Sequence, residues 1–426
     1  MNSGLHSVQP KRFLARLRYQ LLFGLPVGVI CPTIVYNLPH LSDAASQPSS
    51  VWTFVGTLLA FLASLYLFRR VATFPGVGVL GHVLPTSVAS YGTIVAVFFA
   101  FRFDYSRLTF LASFGGTVMF LFLVGGYLRR SQGQRFYLVP SPATQTLLAD
   151  PSTQWMVLSE PVLPQDPYAV FIADLRADLG DAWERLIAEA AVAGFPVYHV
   201  KQISESLTGR VEIEHLSENS FGSLVPNLSY RSVKRLVDLA SALLALPLIL
   251  VLGLIVGIVI KLESPGPMLF RQRRRGYRGE VFEVIKFRTM THRPDSAEDS
   301  KDQAITVVRD ARITRFGQFL RRTRIDELPQ IWNIIRGEMS WIGPRPEALQ
   351  LSDWYAAELP FYTYRHIVRP GITGWAQVNQ GHVAELDAVN EKLHYDFYYI
   401  KNFSASLDLL ILGKTFMTVL TGFGAK

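Results

Sequence analysis

The chain has 426 residues, 49% of them hydrophobic and 18% charged, with a mean hydropathy of +0.22; this excludes an ordinary soluble enzyme and leaves room for two or three modules. Its single cysteine, Cys31, lies in an apolar run, which excludes an intramolecular disulfide, a disulfide-stapled secreted scaffold and a Cys-rich metal site. The net charge of +8 gathers at the edges of apolar runs and beside Asp326, a pattern that suits anionic head groups or substrate phosphates and not nucleic acid.

Four apolar segments, 20–38, 51–68, 85–101 and 108–128, each approach the ~20 residues a helix needs to cross ~30 Å of hydrocarbon. Gly and Ser dilute the third. Three comparable runs follow the first, and no small-residue cleavage site is evident, so the first reads as a helix and not as a cleaved signal. Lys11, Arg12, Arg16 and Arg18 precede the first segment, Arg69 and Arg70 follow the second, and Arg129, Arg130 and Arg135 follow the fourth. The stretch 40–50 has neither Lys nor Arg, so the N-terminus and the chain after residue 130 are expected on the cytoplasmic side. Arg102 and Arg107, in a loop placed outside, run against the trend.

Residues 131–225 read as an α/β module. Runs at 136–140, 155–159, 169–173 and 196–200 have the character of buried strands, and 182–193 has helical composition. The first strand leads into Pro140-Ser141-Pro142 where a dinucleotide fold carries G-x-G-x-x-G, and proline offers no N–H to a pyrophosphate. The expectation is a degenerate Rossmann-like module with a structural or regulatory role.

The most apolar stretch, 236–260, is flanked by Arg231, Lys234 and Arg235 before it and by Lys261 and Arg271 to Arg275 after it. A simple crossing would put one basic cluster on the wrong face and the rest of the chain outside, away from any nucleotide-activated substrate. Pro247 at its middle removes a helical hydrogen bond at a cost of about 3 kcal/mol. A re-entrant helix-break-helix satisfies both constraints, each arm of roughly twelve residues reaching about 18 Å into one leaflet.

Beyond it, Lys286 and Arg288 stand far enough from the anchor to contact substrate, whereas Arg273 and Arg275 suit membrane anchoring. Ile313, Phe316, Phe319 and Leu320 have helical spacing, followed by Arg321, Arg322 and Arg324. Pro329 is tolerated only in a first turn, so a new helix is expected to begin at Asp326 or Glu327. A carboxylate there is an N-cap or an ionised nucleophile, since the helix dipole favours its charged form. Adjacent Asp326 and Glu327 can hold Mg²⁺ together with substrate phosphate oxygens, and an aspartate can attack phosphorus. A glycosidase pair would need carboxyls about 5 to 9 Å apart across a sugar, which adjacent residues arrange poorly.

From about residue 230 to 420 the chain resembles the bacterial sugar transferase domain of the monotopic phosphoglycosyl transferases, and in layout their large polyprenyl-phosphate hexose-1-phosphate transferase members. The motifs that carry the resemblance are Lys234-Arg235-x-x-Asp238, Ser264-Pro265-Gly266-Pro267, Lys286-Phe287-Arg288-Thr289-Met290, Asp326-Glu327-Leu328-Pro329-Gln330, Gly337-Glu338-Met339-Ser340, Gly343-Pro344-Arg345-Pro346 and Arg369-Pro370-Gly371-Ile372-Thr373-Gly374-Trp375. The resemblance implies transfer of sugar-1-phosphate from a UDP-sugar to undecaprenyl phosphate with release of UMP. It implies Asp326 as covalent nucleophile and Glu327 as its support through Mg²⁺ or proton handling. Arg321 would hold phosphate, Arg345 the nucleotide, and Arg369 a further phosphate.

The fold expected is thus a membrane α+β protein in three parts: four transmembrane helices over 1–130, the α/β module over 131–225, and a mainly α catalytic domain over 226–426. Inner-membrane lipids and a second copy in a homodimer are the expected macromolecular partners. After Gly374 to Asn379 many relatives place a Gly-Arg pair where this chain has Gln380-Gly381-His382-Val383-Ala384-Glu385, and Phe403 stands where Trp is common. The sugar, and the choice among capsule, exopolysaccharide and O-antigen, therefore stay open. His366, His382 and His394 have no ligand-like spacing. Against a glycosyltransferase stands the absence of any Asp-x-Asp triplet; a catalytically silent membrane scaffold or regulator of polysaccharide assembly is the alternative of another class.

Overall fold

The computed structural model describes residues 13–37, 48–71, 83–130, 135–149, 153–213, 226, 228–291, 312–380 and 386–421. Contacts divide the chain into two compact units, Met1–Gly209 and Arg210–Lys426. The division falls after Gly209 and not near 225 because Arg210 and Val211 bond within the second unit, to Glu391 and to the carbonyl of His394.

The first unit opens with α1 (Leu17–Leu25), a π-helical turn (Pro26–Ile30) and α2 (Cys31–Asn37), followed by α3 (Pro48–Val71), α4 (Val83–Phe101) and α5 (Arg107–Arg130). Four stretches here, Leu17–Val35, Pro48–Arg70, Val83–Phe101 and Arg107–Leu128, are long and apolar enough to cross a membrane. Lipid tails remove most of the hydrophobic drive for helices to associate, so close packing and interhelical hydrogen bonds hold such bundles. Gly24 and Gly28 supply the first: a Cβ on either would come within 2.5 and 2.8 Å of the Phe61 ring. The second comes from Tyr91, whose hydroxyl bonds Ser113 and Thr117 at 2.8 and 2.7 Å, and from Arg69, which donates to Gln20 at 2.6 Å. The basic residues before Phe13 and the stretch 38–47 that bear on orientation lie outside the described residues.

The same unit carries β1 (Arg135–Leu138), α6 (Pro142–Gln145), β2 (Trp155–Val157), β3 (Ala169–Ala173), α7 (Asp181–Val192), β4 (Val197–His199) and α8 (Val200–Thr208). The strands form one parallel sheet in the order β2-β1-β3-β4, with β3 buried throughout. The turn after β1 is closed on itself. The Ser141 N–H donates to Thr144 Oγ1 at 2.9 Å, and that hydroxyl donates to the Val139 carbonyl at 2.8 Å. A backbone donor that a phosphate would use is thereby spent inside the turn.

The second unit begins with α9 (Leu228–Glu263), then the antiparallel hairpin β5 (Leu269–Arg275) and β6 (Val281–Phe287). It continues with α10 (Arg315–Thr323), a 3-10 turn (Ile325–Gln330), α11 (Ile331–Arg336), β7 (Ser340–Ile342), α12 (Leu349–Glu358), β8 (Gly371–Thr373), α13 (Trp375–Asn379), α14 (Leu386–Lys401) and α15 (Ala405–Thr421). The expected break at Pro247 is not a break in helical structure: α9 stays helical through it for 36 residues, longer at both ends than 236–260. Proline deletes one hydrogen bond, and a long helix with many others bends or tolerates that loss without ending.

One side of α9 packs on the rest of this unit along its whole length. Arg235 donates to the Ile334 and Ile335 carbonyls, Ser241 accepts from Trp341, and Ala242 and Ile249 join Ile331 and Ile334 in one core. Val256 and Ile260 join Phe287 and Leu320 in the next. The other side leaves Leu244, Leu254 and Leu262 at least two-thirds exposed, so the protein is a membrane α+β protein whose most apolar helix keeps a bare apolar face. In α15, likewise, Leu407, Leu410 and Ile411 are buried while Leu412, Phe416 and Met417 are exposed.

Candidate active site

Asp326 and Glu327 are placed by a change of direction between two helices. Thr314 caps α10 by accepting from the Gly317 N–H at 3.0 Å. Gly317 sits so close to the Thr289 carbonyl that a Cβ would approach to 2.2 Å. Arg324 ends α10 in the left-handed conformation (φ 59°) and turns the chain into the 3-10 turn, where both carboxylates are buried. The fully buried Asn333, in α11, then ties this segment to β6: its amide donates to the Glu283 carbonyl at 2.7 Å and accepts from the Ile285 N–H at 3.3 Å.

The third wall is the Gly343-Pro344-Arg345-Pro346 turn. Gly343 lies against the Arg369 carbonyl, where a Cβ would come within 2.3 Å, and its N–H donates to Thr373. Two prolines fix φ on either side of Arg345. Its carbonyl accepts from Arg365 at 2.9 Å, and the Pro346 carbonyl accepts from Arg274. Arg365 in turn pairs with Asp396 at 2.7 Å, and Lys392 bonds Glu347, so α14 braces the turn through two buried ion pairs.

These walls converge on one carboxylate oxygen. Glu327 Oε1 accepts from Arg345 at 2.8 Å and from Lys286 at 3.2 Å, with Arg324 at 3.9 Å. Burial penalises the Glu327 charge, but Arg345 and Lys286 outweigh that and hold its pKa well below the usual carboxylate range. Asp326 goes the other way: burial first and the neighbouring Glu327 charge second push it up, against Lys286, Arg345 and Arg321. Its Oδ1 is buried and has no hydrogen-bond partner among the described residues. Burial also lowers Lys286 to about 8, with Arg345 and Arg274 adding to the effect and Glu327 opposing it. Arg321 completes the group, donating to Thr289 at 3.0 Å while its charge acts on Asp326.

A buried carboxylate oxygen left bare inside a cationic pocket is an uncommon arrangement, because an unpaired buried acceptor costs about 1–3 kcal/mol. It points to a group whose partner arrives with the ligand. Residues 229–422 match the family described as Bacterial sugar transferase. A UDP-N-acetylgalactosamine-undecaprenyl-phosphate N-acetylgalactosaminephosphotransferase from Aeromonas hydrophila is 43% identical over 377 residues, 88% of each chain. The chain belongs to the bacterial sugar transferase family.

Other relatives match over a shorter stretch. A UDP-glucose:undecaprenyl-phosphate glucose-1-phosphate transferase from Xanthomonas campestris pv. campestris is 43% identical over 189 residues, 44% of this chain and 38% of its own. Another of that name from Escherichia coli K12 is 40% identical over 198 residues, 46% of this chain and 41% of its own.

Of the residues expected at the site, Asp326, Glu327, Lys286, Arg345 and Arg321 come together, and two do not. Arg288 is buried with its guanidinium on the carbonyls of Ile260, Ser264 and Pro265, so it caps the end of α9, where the helix dipole favours a cation. Arg369 donates to the Gly337 carbonyl at 2.9 Å just past α11 and stacks on Tyr277, 5.1 Å from the ring centre. Position beside a motif does not separate a cation that meets substrate from one that closes a helix. Arg365, Asp396, Lys392 and Glu347 belong to the site through contacts across the fold that no local sequence pattern marks. His366 is half-buried, and desolvation first, then the Arg365 charge, lower its pKa to about 3, so that it is neutral near pH 7; the stretch 381–385, including His382, lies outside the described residues.

No cluster of three or more His, Cys, Asp or Glu able to hold a metal exists among the described residues, so an all-protein cage is not available there. Mg²⁺ does not require one, since it binds through one or two carboxylates with phosphate oxygens and water. The bare Asp326 Oδ1 is a fitting donor for that mode.

Proposed function

We propose that this protein transfers sugar-1-phosphate from a UDP-sugar to undecaprenyl phosphate at the inner membrane, by way of a phosphosugar bound covalently to Asp326. The observation that carries the reading is the unpartnered, buried Oδ1 of Asp326 beside cations already organised by Glu327. In the first step an Asp326 oxygen attacks the sugar-bearing phosphorus. The P–O bond to the bridging oxygen breaks, and UMP leaves with that electron pair. In the second, a phosphate oxygen of undecaprenyl phosphate attacks the same phosphorus, the acyl-phosphate bond breaks, and Asp326 returns to its carboxylate.

Glu327 keeps Arg345 and Lys286 aimed and charged, so that their positive charge offsets what builds on the transferring phosphate oxygens. Arg321 is positioned to hold a phosphate at the Asp326 side. Asp326, with Glu327 beside it, would hold Mg²⁺, which when bound neutralises part of the phosphate charge.

α9 is read as entering one leaflet and returning, not crossing. Its basic flanks at both ends, and packing on the same unit from Arg235 to Ile260, support this, since a crossing helix could not keep that unit on one side of the bilayer. The reading keeps Asp326 at head-group level on the cytoplasmic side, where the acceptor phosphate lies. The first-unit helices then serve as additional membrane anchors, with the α/β module a regulatory or dimer-forming part.

The test is UMP release by the full-length protein with Mg²⁺ and undecaprenyl phosphate across a panel of UDP-sugars, headed by UDP-N-acetylgalactosamine in view of the Aeromonas relative. Release with one sugar, abolished by Asp326→Asn, is expected, as is one equivalent of protein-bound phosphosugar when the acceptor is withheld. Undiminished activity of Asp326→Asn would sink the nucleophile assignment. Absence of release with every donor from folded protein would favour the scaffold.

A further inference from the structure

A second group of arginines lies apart from the dyad, around Tyr277. Arg231, near the start of α9, donates to the Tyr277 hydroxyl at 3.1 Å. The guanidinium carbons of Arg278 and Arg369 each stand 5.1 Å from the centre of that ring. Beside them, Arg235 reaches the α11 carbonyls and approaches Gly337. Arg235 and one edge of Arg369 are explained by the carbonyls they close. Arg231 and Arg278 are not. Each guanidinium carries five N–H donors, and apart from the Tyr277 contacts neither has a carbonyl or carboxylate partner among the described residues. No carboxylate forms an ion pair with Arg231, Arg235, Arg278 or Arg369 among the described residues. Asp238, whose charge acts on Arg369, is paired with Lys234 at 3.9 Å.

Surface arginines repel and splay apart in water; these converge on one ring. The place where they do so has a further property. The apolar run of α9 starts immediately beyond Arg231 and Arg235, with Leu236 69% and Val237 58% exposed. On the membrane reading of α9, on which the inference rests, this is the level where phosphates of anionic lipids sit and attract Lys and Arg.

We propose that Arg231, Arg278 and Arg369, gathered around Tyr277, bind the phosphate of an anionic lipid head group at a site separate from the transfer site. The flat, forked guanidinium is suited to a phosphodiester, which it can grip through two parallel hydrogen bonds. Burial first, then Arg235, lower the pKa of Arg369, with Arg231 adding to them and Tyr277 and Asp238 opposing. A free phosphate has the same chemistry but no acyl chains to lie along the exposed leucines of α9.

The full-length protein would be purified from mixed micelles of phosphatidylglycerol and phosphatidylcholine, and the lipid it retains counted by mass spectrometry. This readout needs no turnover and stands whatever the transfer reaction proves to be. Wild type is expected to favour phosphatidylglycerol, and Arg231→Gln with Arg278→Gln to reduce its retention on the order of ten-fold. Arg176→Gln with Arg185→Gln, which removes the same charge from the exposed surface of the α/β module, is expected to leave retention unchanged. Arg231→Lys with Arg278→Lys should retain more than the Gln pair; equal loss in both would mean damage to the fold and would overturn the proposal. Equal retention in wild type and all variants would overturn it too. Displacement of phosphatidylglycerol by millimolar inorganic phosphate would overturn the lipid assignment in favour of a free-phosphate site.

Discussion

Arg345 and Glu327 are bonded at 2.8 Å across eighteen residues of sequence, and the pair is the hinge on which the site's charge balance turns. Glu327 is almost wholly buried, and Arg345 is itself raised above its ordinary pKa chiefly by the Glu327 charge. Breaking such a pair leaves an uncompensated buried charge, which costs several kcal/mol, whereas a pair kept with poorer geometry costs less. Arg345→Met is therefore expected to lower stability by about 3 kcal/mol and abolish UMP release. Arg345→Lys, which keeps the charge and loses the fork, is expected to fold and to lose about a hundred-fold in kcat/KM. Thermal unfolding and initial rates on the two variants check this; equal stability in both would mean that the pair carries no load.

The pH dependence follows from two groups displaced in opposite senses. Asp326 is raised, so the acid limb of activity should lie above the ordinary aspartate range and reflect its deprotonation. Lys286 is lowered to about 8 and is useful only when protonated, so rate should fall as pH rises through about 8. Glu327 raises Lys286; removing its charge with Glu327→Gln should move the alkaline limb to lower pH. A pH profile of kcat/KM for wild type and Glu327→Gln reads both, and a limb that moves upward in the variant would contradict the charge assignment.

Much of this site is written in short stretches of sequence, and the remainder in contacts between distant ones. Asp326, Glu327, Lys286 and Arg345 each stand in a compact motif whose neighbours, prolines and glycines, are required by the backbone they occupy. The strands of the α/β module were legible for a similar reason: a parallel sheet buried on both faces leaves runs such as Ala169–Ala173. Arg288 misled because a cation that caps a helix and one that meets a phosphate look alike in sequence, and only the carbonyls of Ile260, Ser264 and Pro265 separate them. Pro247 marked a weak point in α9 without revealing that the helix continues, since neighbouring hydrogen bonds decide that outcome.

Arg365 and Asp396 offer a test of how far the brace extends. Their ion pair is buried, and the same guanidinium nitrogen donates to the Arg345 carbonyl, so Asp396 reaches the site through the Arg345 backbone. Asp396→Asn is expected to lower kcat/KM by about ten-fold. It should do so far less in an Arg345→Lys background, because contacting residues couple by about 0.5–3 kcal/mol where independent ones add. The double-mutant cycle is the measurement. Full additivity would make Asp396 a stability residue with no part in aiming Arg345.

The path of α9 can be settled by labelling. With Cys31 replaced by Ser, Glu280→Cys places one thiol in the exposed turn between β5 and β6. If α9 returns to the cytoplasmic side, a membrane-impermeant maleimide added to spheroplasts should leave this thiol unmodified until the membrane is opened. Replacing Pro247 by Leu removes a helix penalty of about 3 kcal/mol and fills the gap with an apolar side chain, both of which favour a straight crossing. Part of the population should then become labelled from outside and lose UMP release, because Asp326 would be carried away from the nucleotide donor. Labelling of Glu280→Cys in intact spheroplasts with Pro247 still present would show instead that α9 crosses, and the cytoplasmic placement of the dyad would fall with it.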